Sequence, residues 1–247
     1  YDEDAIRASE SLLDTLRHAG LHVVWNDNQS GCKGVCAGVE SMRPDPAALP
    51  QLCDGERCLD EALLESSRSL LRDANGNLVL VLHQLGNHGP AYFRRYPDAF
   101  RRFTPTCDDE DLSKCSREQI ANSYDNALLY TDHVLARSID MLQELAPRYD
   151  TALLYVSDHG ESLGENNLYL HGLPYAIAPD VQKQVPWIAW FTPGFEQRSG
   201  IGNQCAAGLS ATPVSHDNLF HTVLGLMGVQ TALYQRALDA YAPCAAR

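Results

Sequence analysis

Ser157-Asp158-His159-Gly160-Glu161 directly follows the apolar run Ala152-Leu153-Leu154-Tyr155-Val156. A carboxylate beside an imidazole is an oxygen-plus-nitrogen donor pair that suits zinc best, with manganese and magnesium also compatible with the ligand types. The apolar run reads as a buried strand, so both donors stand at its carboxyl end, where open α/β sheets keep their sites. An isolated Asp-His dipeptide would read as a turn cap beside a structural histidine. The strand end, Gly160, Glu161 and a second histidine loop move the reading to a metal site. That second loop is His83-Gln84-Leu85-Gly86-Asn87-His88-Gly89-Pro90, at the end of the apolar run 78–82. His171 lies in Leu170-His171-Gly172-Leu173-Pro174. Glycine after His88 and after His171 lets the backbone turn closely around each ring. As metal ligands, phosphate donors or proton carriers, they rate evenly with structural loop histidines on local sequence. The strand ends are expected to feed one site, whereas His18, His22, His83 and His133 read as structural.

A third loop, Asn26-Asp27-Asn28-Gln29-Ser30-Gly31-Cys32-Lys33-Gly34, offers amides, a hydroxyl and one ammonium after a short strand. Such a set suits a phosphate or an alcohol and equally suits a surface turn. No P-loop or GxGxxG fingerprint is present, so nucleotide binding by those modes has no support. Metal-assisted phosphoryl or sulfuryl transfer needs an activated Ser, Thr or Cys at the end of an early strand. No such segment is found at the start of these residues, whose first elements are expected to open in a helix.

Strands alternating with helices are needed to position these loops. The pattern predicts a helix over 4–18 with Ile6, Leu12, Leu13 and Leu16 on one stripe, and a strand over 21–25. It predicts a helix over 58–72, a strand over 78–82, a long loop over 92–115 and strands over 151–156 and 185–191. Ser116 caps the longest helix, which runs to Leu145 before Pro147, with Ile120, Tyr124, Leu128, Val134, Leu135, Ile139 and Leu142 as its apolar stripe. Ser215 opens a last helix over 216–227. The fold class is therefore α/β, with a mostly parallel sheet covered on both faces.

Eight cysteines lie at 32, 36, 53, 58, 107, 115, 205 and 244. None has CxxC spacing, and the close pairs sit in polar loops, so they read as disulfides of an oxidising compartment. The pairs are Cys32 with Cys36, Cys53 with Cys58 and Cys107 with Cys115, leaving Cys205 with Cys244 to anchor the C-terminal tail. The 247 residues suit one large α/β domain or at most two small ones. A net charge of −13 with no Lys/Arg run beyond two residues excludes nucleic-acid binding by a basic face. No apolar stretch reaches the roughly 18–20 residues of a membrane helix. The sequence opens at Tyr1 rather than Met, which reads as the removal of whatever came first.

The motif Ser157-Asp158-His159-Gly160-Glu161-Ser162-Leu163-Gly164-Glu165-Asn166, with Tyr169-Leu170-His171-Gly172, resembles the signature of lipid A phosphoethanolamine transferases. These belong to the alkaline phosphatase/sulfatase superfamily and include the mobile colistin-resistance enzymes. The resemblance continues through residues 83–92, Arg95-Tyr96-Pro97, Phe103-Thr104-Pro105-Thr106-Cys107, Tyr124-Asp125-Asn126 and Val185-Pro186-Trp187. It also takes in Leu12-Leu13-Asp14-Thr15-Leu16 and Trp25-Asn26-Asp27-Asn28. It implies an α/β/α sandwich and a periplasmic catalytic domain, here spanning 1–247, of an inner-membrane enzyme. That enzyme would move phosphoethanolamine from phosphatidylethanolamine to a lipid A phosphate through a zinc-activated Thr. Asp158 and His159 match two zinc ligands. His88 and His171 match histidines near the phosphoethanolamine group or a second zinc, and could protonate the departing diacylglycerol oxygen. Ser30 and Lys33 match positions that contact the group, and Gln29 stands where some relatives carry Asn. The remaining zinc ligands, a Glu and the Thr itself, together with the membrane domain, belong upstream of Tyr1. These residues alone are therefore expected to bind zinc weakly and to transfer nothing. The alternatives are a sulfatase or phosphodiesterase that hands the group to water, and a non-catalytic periplasmic module of the same fold.

Overall fold

The computed structural model describes residues 8–245, in two compact units divided after Ala136. In the first unit, α1 (Leu12–His18) starts at a capping box in which Ser11 and Asp14 exchange side-chain-to-backbone hydrogen bonds. Its Leu13 and Leu16 are buried. The part of the expected helix that includes Ile6 lies outside the described residues.

Strand β1 (His22–Asp27) pairs in parallel with β2 (Glu40–Met42) on one side and β3 (Leu78–His83) on the other. The register matches Asp27 to His83, so both side chains leave the sheet at its carboxyl edge. The crossover from β2 to β3 carries α2 (Glu61–Asp73), with Ala62, Leu63, Leu64, Ser67 and Leu71 buried. Asn26 is fully buried under α2 and donates from Nδ2 to Leu63 O at 3.1 Å and to the Ser66 and Ser67 hydroxyls at 2.9 Å. Burying an amide requires such partners, and they tie the strand to its helix.

The long helix α3 spans Arg117–Leu145. Ser116 Oγ accepts from Gln119 N, and Gln119 Oε1 accepts from Ser116 N, closing the expected N-terminal cap. Its buried stripe differs from the expected one. Ile120 and Val134 of the expected stripe are buried, but Leu128 is 45 % exposed, and Ser123, Asn126, Ala127, Tyr130, Thr131 and Ser138 are buried as well. Hydrogen bonding explains the rotation: Asn126 Oδ1 accepts from Arg102 N and Phe103 N, its Nδ2 donates to Phe103 O, and Ser123 Oγ accepts from Cys107 N. A face that organises a loop must carry polar groups, and an apolar-only stripe misses them.

In the second unit, β4 (Ala152–Val156) and β7 (Trp187–Phe191) form an antiparallel pair. The alternation of elements predicts parallel pairing, which holds for β1, β2 and β3. Between β4 and β7 there is no crossover helix, only the short antiparallel ribbon of β5 (Ser162–Leu163) and β6 (Tyr169–Leu170) with single-turn helices. Without a helical crossover, the chain folds back. Helices α4 (Pro193–Ser199), α5 (Asn203–Gly208) and α6 (Asp217–Met227) follow. Phe191, Phe195, Ile201, Leu226 and Tyr241 form a core cluster.

All four expected disulfides are present: Cys32–Cys36, Cys53–Cys58, Cys107–Cys115 and Cys205–Cys244. Among the described residues, no helix is long and apolar enough to cross a membrane.

Candidate metal centre and substrate loops

Asp158 and His159 follow β4, and their loop is held by backbone-directed bonds. Ser157 Oγ donates to His159 O at 2.8 Å, and His216 Nε2 donates to Ser157 O at 2.8 Å. Gly160 N donates to Gln182 O at 3.0 Å, and a Cβ at Gly160 would sit 2.0 Å from Val181 O. Only glycine allows that approach.

The Asp158 side chain is 80 % exposed, and its Oδ2 stands 3.7 Å from His159 Nε2. Two donors on one tetrahedral zinc, with bonds near 2.0–2.1 Å, lie about 3.3 Å apart. The pair therefore fits a shared zinc with a shift of a few tenths of an ångström. His159 Nδ1 lies 2.9 Å from Gly160 O, a carbonyl that can only accept, so Nδ1 carries the proton and Nε2 the lone pair.

His171 returns to this loop through the β5–β6 ribbon. The register pairs Ser162 with Leu170, and one step outward it sets Glu161 opposite His171. His171 Nδ1 lies 3.2 and 3.3 Å from the two oxygens of Glu161, whose side chain is buried. The His159 and His171 rings meet with centroids 3.7 Å apart, and one ring nitrogen of each lies within 4.8 Å of the other. Gln182, also buried, donates to Ser162 Oγ and Leu170 O and holds the ribbon in place.

A buried carboxylate orienting a histidine fixes its tautomer, and loss of such a partner typically costs about 10–100-fold in activity. Glu161→Gln in the full-length gene product is therefore expected to lower turnover by about that factor while the melting temperature stays nearly constant. Unchanged turnover would show that His171 needs no orientation from Glu161.

The first unit carries Ser30, Lys33 and His88. Ser30 and Lys33 line an open cavity of about 450 Å³ together with Trp25, Asp27, Ser41 and Arg43. The buried Asp27 roots this loop. It accepts from His83 Nδ1 at 2.6 Å, from an Arg43 guanidinium nitrogen at 2.7 Å and from Gly31 N at 3.0 Å. Burial opposes ionisation of Asp27, but the hydrogen bonds from His83, Trp25 and Arg43 outweigh it and hold the carboxyl below its ordinary value. Lys33 adopts a left-handed backbone with φ 51°.

His88 Nδ1 lies 2.6 Å from Gly89 O, so it has the same tautomer as His159 and His171. Arg95 Nε donates to His88 O at 2.8 Å. Gln29 Nε2 donates to Gln84 O at 2.5 Å and links the Ser30 loop to the His88 loop.

The Sulfatase family pattern matches residues 2–229. The chain belongs to the sulfatase family. Within that family it is 46 % identical over 245 residues to phosphoethanolamine transferase EptA of Salmonella typhimurium, covering 99 % of this chain and 45 % of the relative. It is 40 % identical over 236 residues to phosphatidylethanolamine transferase Mcr-1 of Escherichia coli, covering 93 % of this chain and 42 % of that protein. Its fold superposes with TM-score 0.92 on the crystal structure of the soluble domain of lipooligosaccharide phosphoethanolamine transferase A from Neisseria meningitidis. That match is 42 % identical and covers 100 % of this chain and 74 % of the other. The chain spans about half the length of the curated relatives it matches. The family confirms the α/β class and the alkaline-phosphatase-like sandwich expected from the motifs.

Three partners escaped the sequence. Glu161 is visible as an acid near the motif, but its grip on His171 depends on the ribbon register. His216 reads only as part of a helix start. Asp60 reads only as a residue within the helix expected over 58–72.

Proposed function

We propose that this chain is the catalytic domain of a zinc-dependent transferase, periplasmic and joined to an inner-membrane domain. It would move phosphoethanolamine from phosphatidylethanolamine to a phosphate of lipid A. The observation that carries this reading is the Asp158–His159 pair at the end of β4, spaced for a shared zinc, in a chain 46 % identical to a phosphoethanolamine transferase. Asp158 and His159 Nε2 would hold the metal, and zinc would supply Lewis-acid stabilisation of charge on the phosphorus-bound oxygens. The nucleophilic Thr and the other ligands are assigned to sequence outside these residues.

His88 and His171 present Nε2 lone pairs in the neutral state and become cations when protonated. Either form suits a phosphoryl group: the cation stabilises its oxygens, and giving up the proton serves the departing diacylglycerol oxygen. Ser30 and Lys33 would grip the same group by hydroxyl and ammonium.

The deciding experiment reconstitutes the full-length gene product in vesicles of phosphatidylethanolamine and lipid A and identifies the products by mass spectrometry. Lipid A heavier by one phosphoethanolamine group, together with diacylglycerol, is expected. Release of free phosphoethanolamine with unmodified lipid A would establish a phosphodiesterase instead. Cleavage of a sulfate ester alone would make it a sulfatase.

A further inference from the structure

Asp60 stands at the start of α2 and is 7 % exposed. It does not cap that helix, because its side chain makes no bond to the first turn. Its Oδ1 instead accepts from Asn28 Nδ2 at 2.7 Å and from Leu85 N at 2.9 Å, and its Oδ2 accepts from Gly86 N at 2.6 Å. Asn28 opens the loop that carries Ser30 and Lys33. Leu85 and Gly86 open the loop that carries His88, and Gly86 turns there with φ 56°. The far side of the His88 loop is held by Arg95, whose charge acts on Asp60. One buried carboxylate thus grips the roots of two loops that arrive from different strands.

We infer that Asp60 is a positioning residue that sets the Ser30–Lys33 loop and the His88 loop relative to each other for the transferred group. The inference rests on the proposed transferase reading, since it gives those loops their common substrate.

Burial pushes the Asp60 carboxyl up from its ordinary value, against the pull of Asn28, the two backbone N–H groups and Arg95. A carboxylate whose three hydrogen-bond partners are all donors cannot be replaced by an amide without turning an NH2 onto one of them. Asp60→Asn therefore keeps the shape and breaks at least one of the three grips.

The test compares Asp60→Asn with wild type in the full-length gene product, singly and in a Lys33→Ala background, with phosphatidylethanolamine as donor. Misplacing substrate contacts by a fraction of an ångström to an ångström is expected to lower kcat/KM by about ten- to a hundredfold. In the Lys33→Ala background, the loss should shrink, because one of the contacts that Asp60 positions has already gone, while the share carried through the His88 loop remains. Equal losses in both backgrounds, or no loss in either, overturn the inference. Should Asp60→Asn fail to fold, Asn28→Ala cuts only the first loop from Asp60, and the same Lys33-dependent loss is required of it.

Hydrogen exchange at the Leu85 and Gly86 amides separates the two claims. Faster exchange in Asp60→Asn, with wild type inactive as a transferase, would leave the anchoring standing and sink the functional reading. Unchanged exchange would sink the anchoring whatever the activity.

Discussion

On the proposed transferase reading, replacing His159 by Ala in the full-length gene product is expected to reduce phosphoethanolamine transfer by about a thousandfold or more, since it removes a proposed metal donor at the centre of charge stabilisation. The fold should survive. His159 makes its ring hydrogen bond to Gly160 O, the next residue, and its 3.7 Å ring contact is with His171 in the adjoining ribbon. The loop itself is held by Ser157, His216 and Gly160 through backbone atoms that Ala retains. Bound zinc, measured by elemental analysis after gel filtration, should fall with activity. Asp158→Asn offers a comparison, because it keeps the shape and removes one negative charge from the donor set. Full zinc content and near-normal transfer in His159→Ala would remove this pair from the metal site.

The second large effect concerns stability. Cys205–Cys244 joins residues 39 apart, whereas Cys32–Cys36 joins residues 4 apart. By chain-entropy arithmetic, the long link is worth about 4 kcal/mol and the short one about 2 kcal/mol. The long link also closes a packed segment. Tyr241 meets Phe191 edge-on at 5.7 Å, and Trp187 Nε1 donates to its hydroxyl at 3.0 Å. Replacing both Cys205 and Cys244 by Ala should therefore lower the urea midpoint about twice as much as replacing Cys32 and Cys36. An equal or smaller shift would show that the C-terminal segment is held by its aromatic packing alone.

The candidate site was legible in part. Asp158 and His159 announced themselves because a strand that ends in donors is a local pattern, complete within ten residues. The tautomers were not legible: those of His88 and His159 turn on whether loop backbone geometry brings the next residue's carbonyl oxygen into reach, and that of His171 on the ribbon register that brings Glu161 to it. Asp60 and Glu161 were harder still. A buried acid looks like a surface acid in sequence until its donors are known, and the donors of Asp60 lie 32, 25 and 26 residues away.

By itself, the amino-acid sequence determined the strand runs, the Ser116–Leu145 helix, the disulfide pairs and the candidate donors. Apolar period, helix caps and close cysteine spacing act over a few residues, so they are written where they operate. Tertiary structure alone decided the antiparallel return of β7 onto β4, the polar buried face of α3 and the matching of Asp27 to His83. It also decided which loops Asp60 and Glu161 would hold. These outcomes turn on which segments meet, and on the cost of leaving a buried polar group without a partner, a cost that exists only once the chain has closed around it.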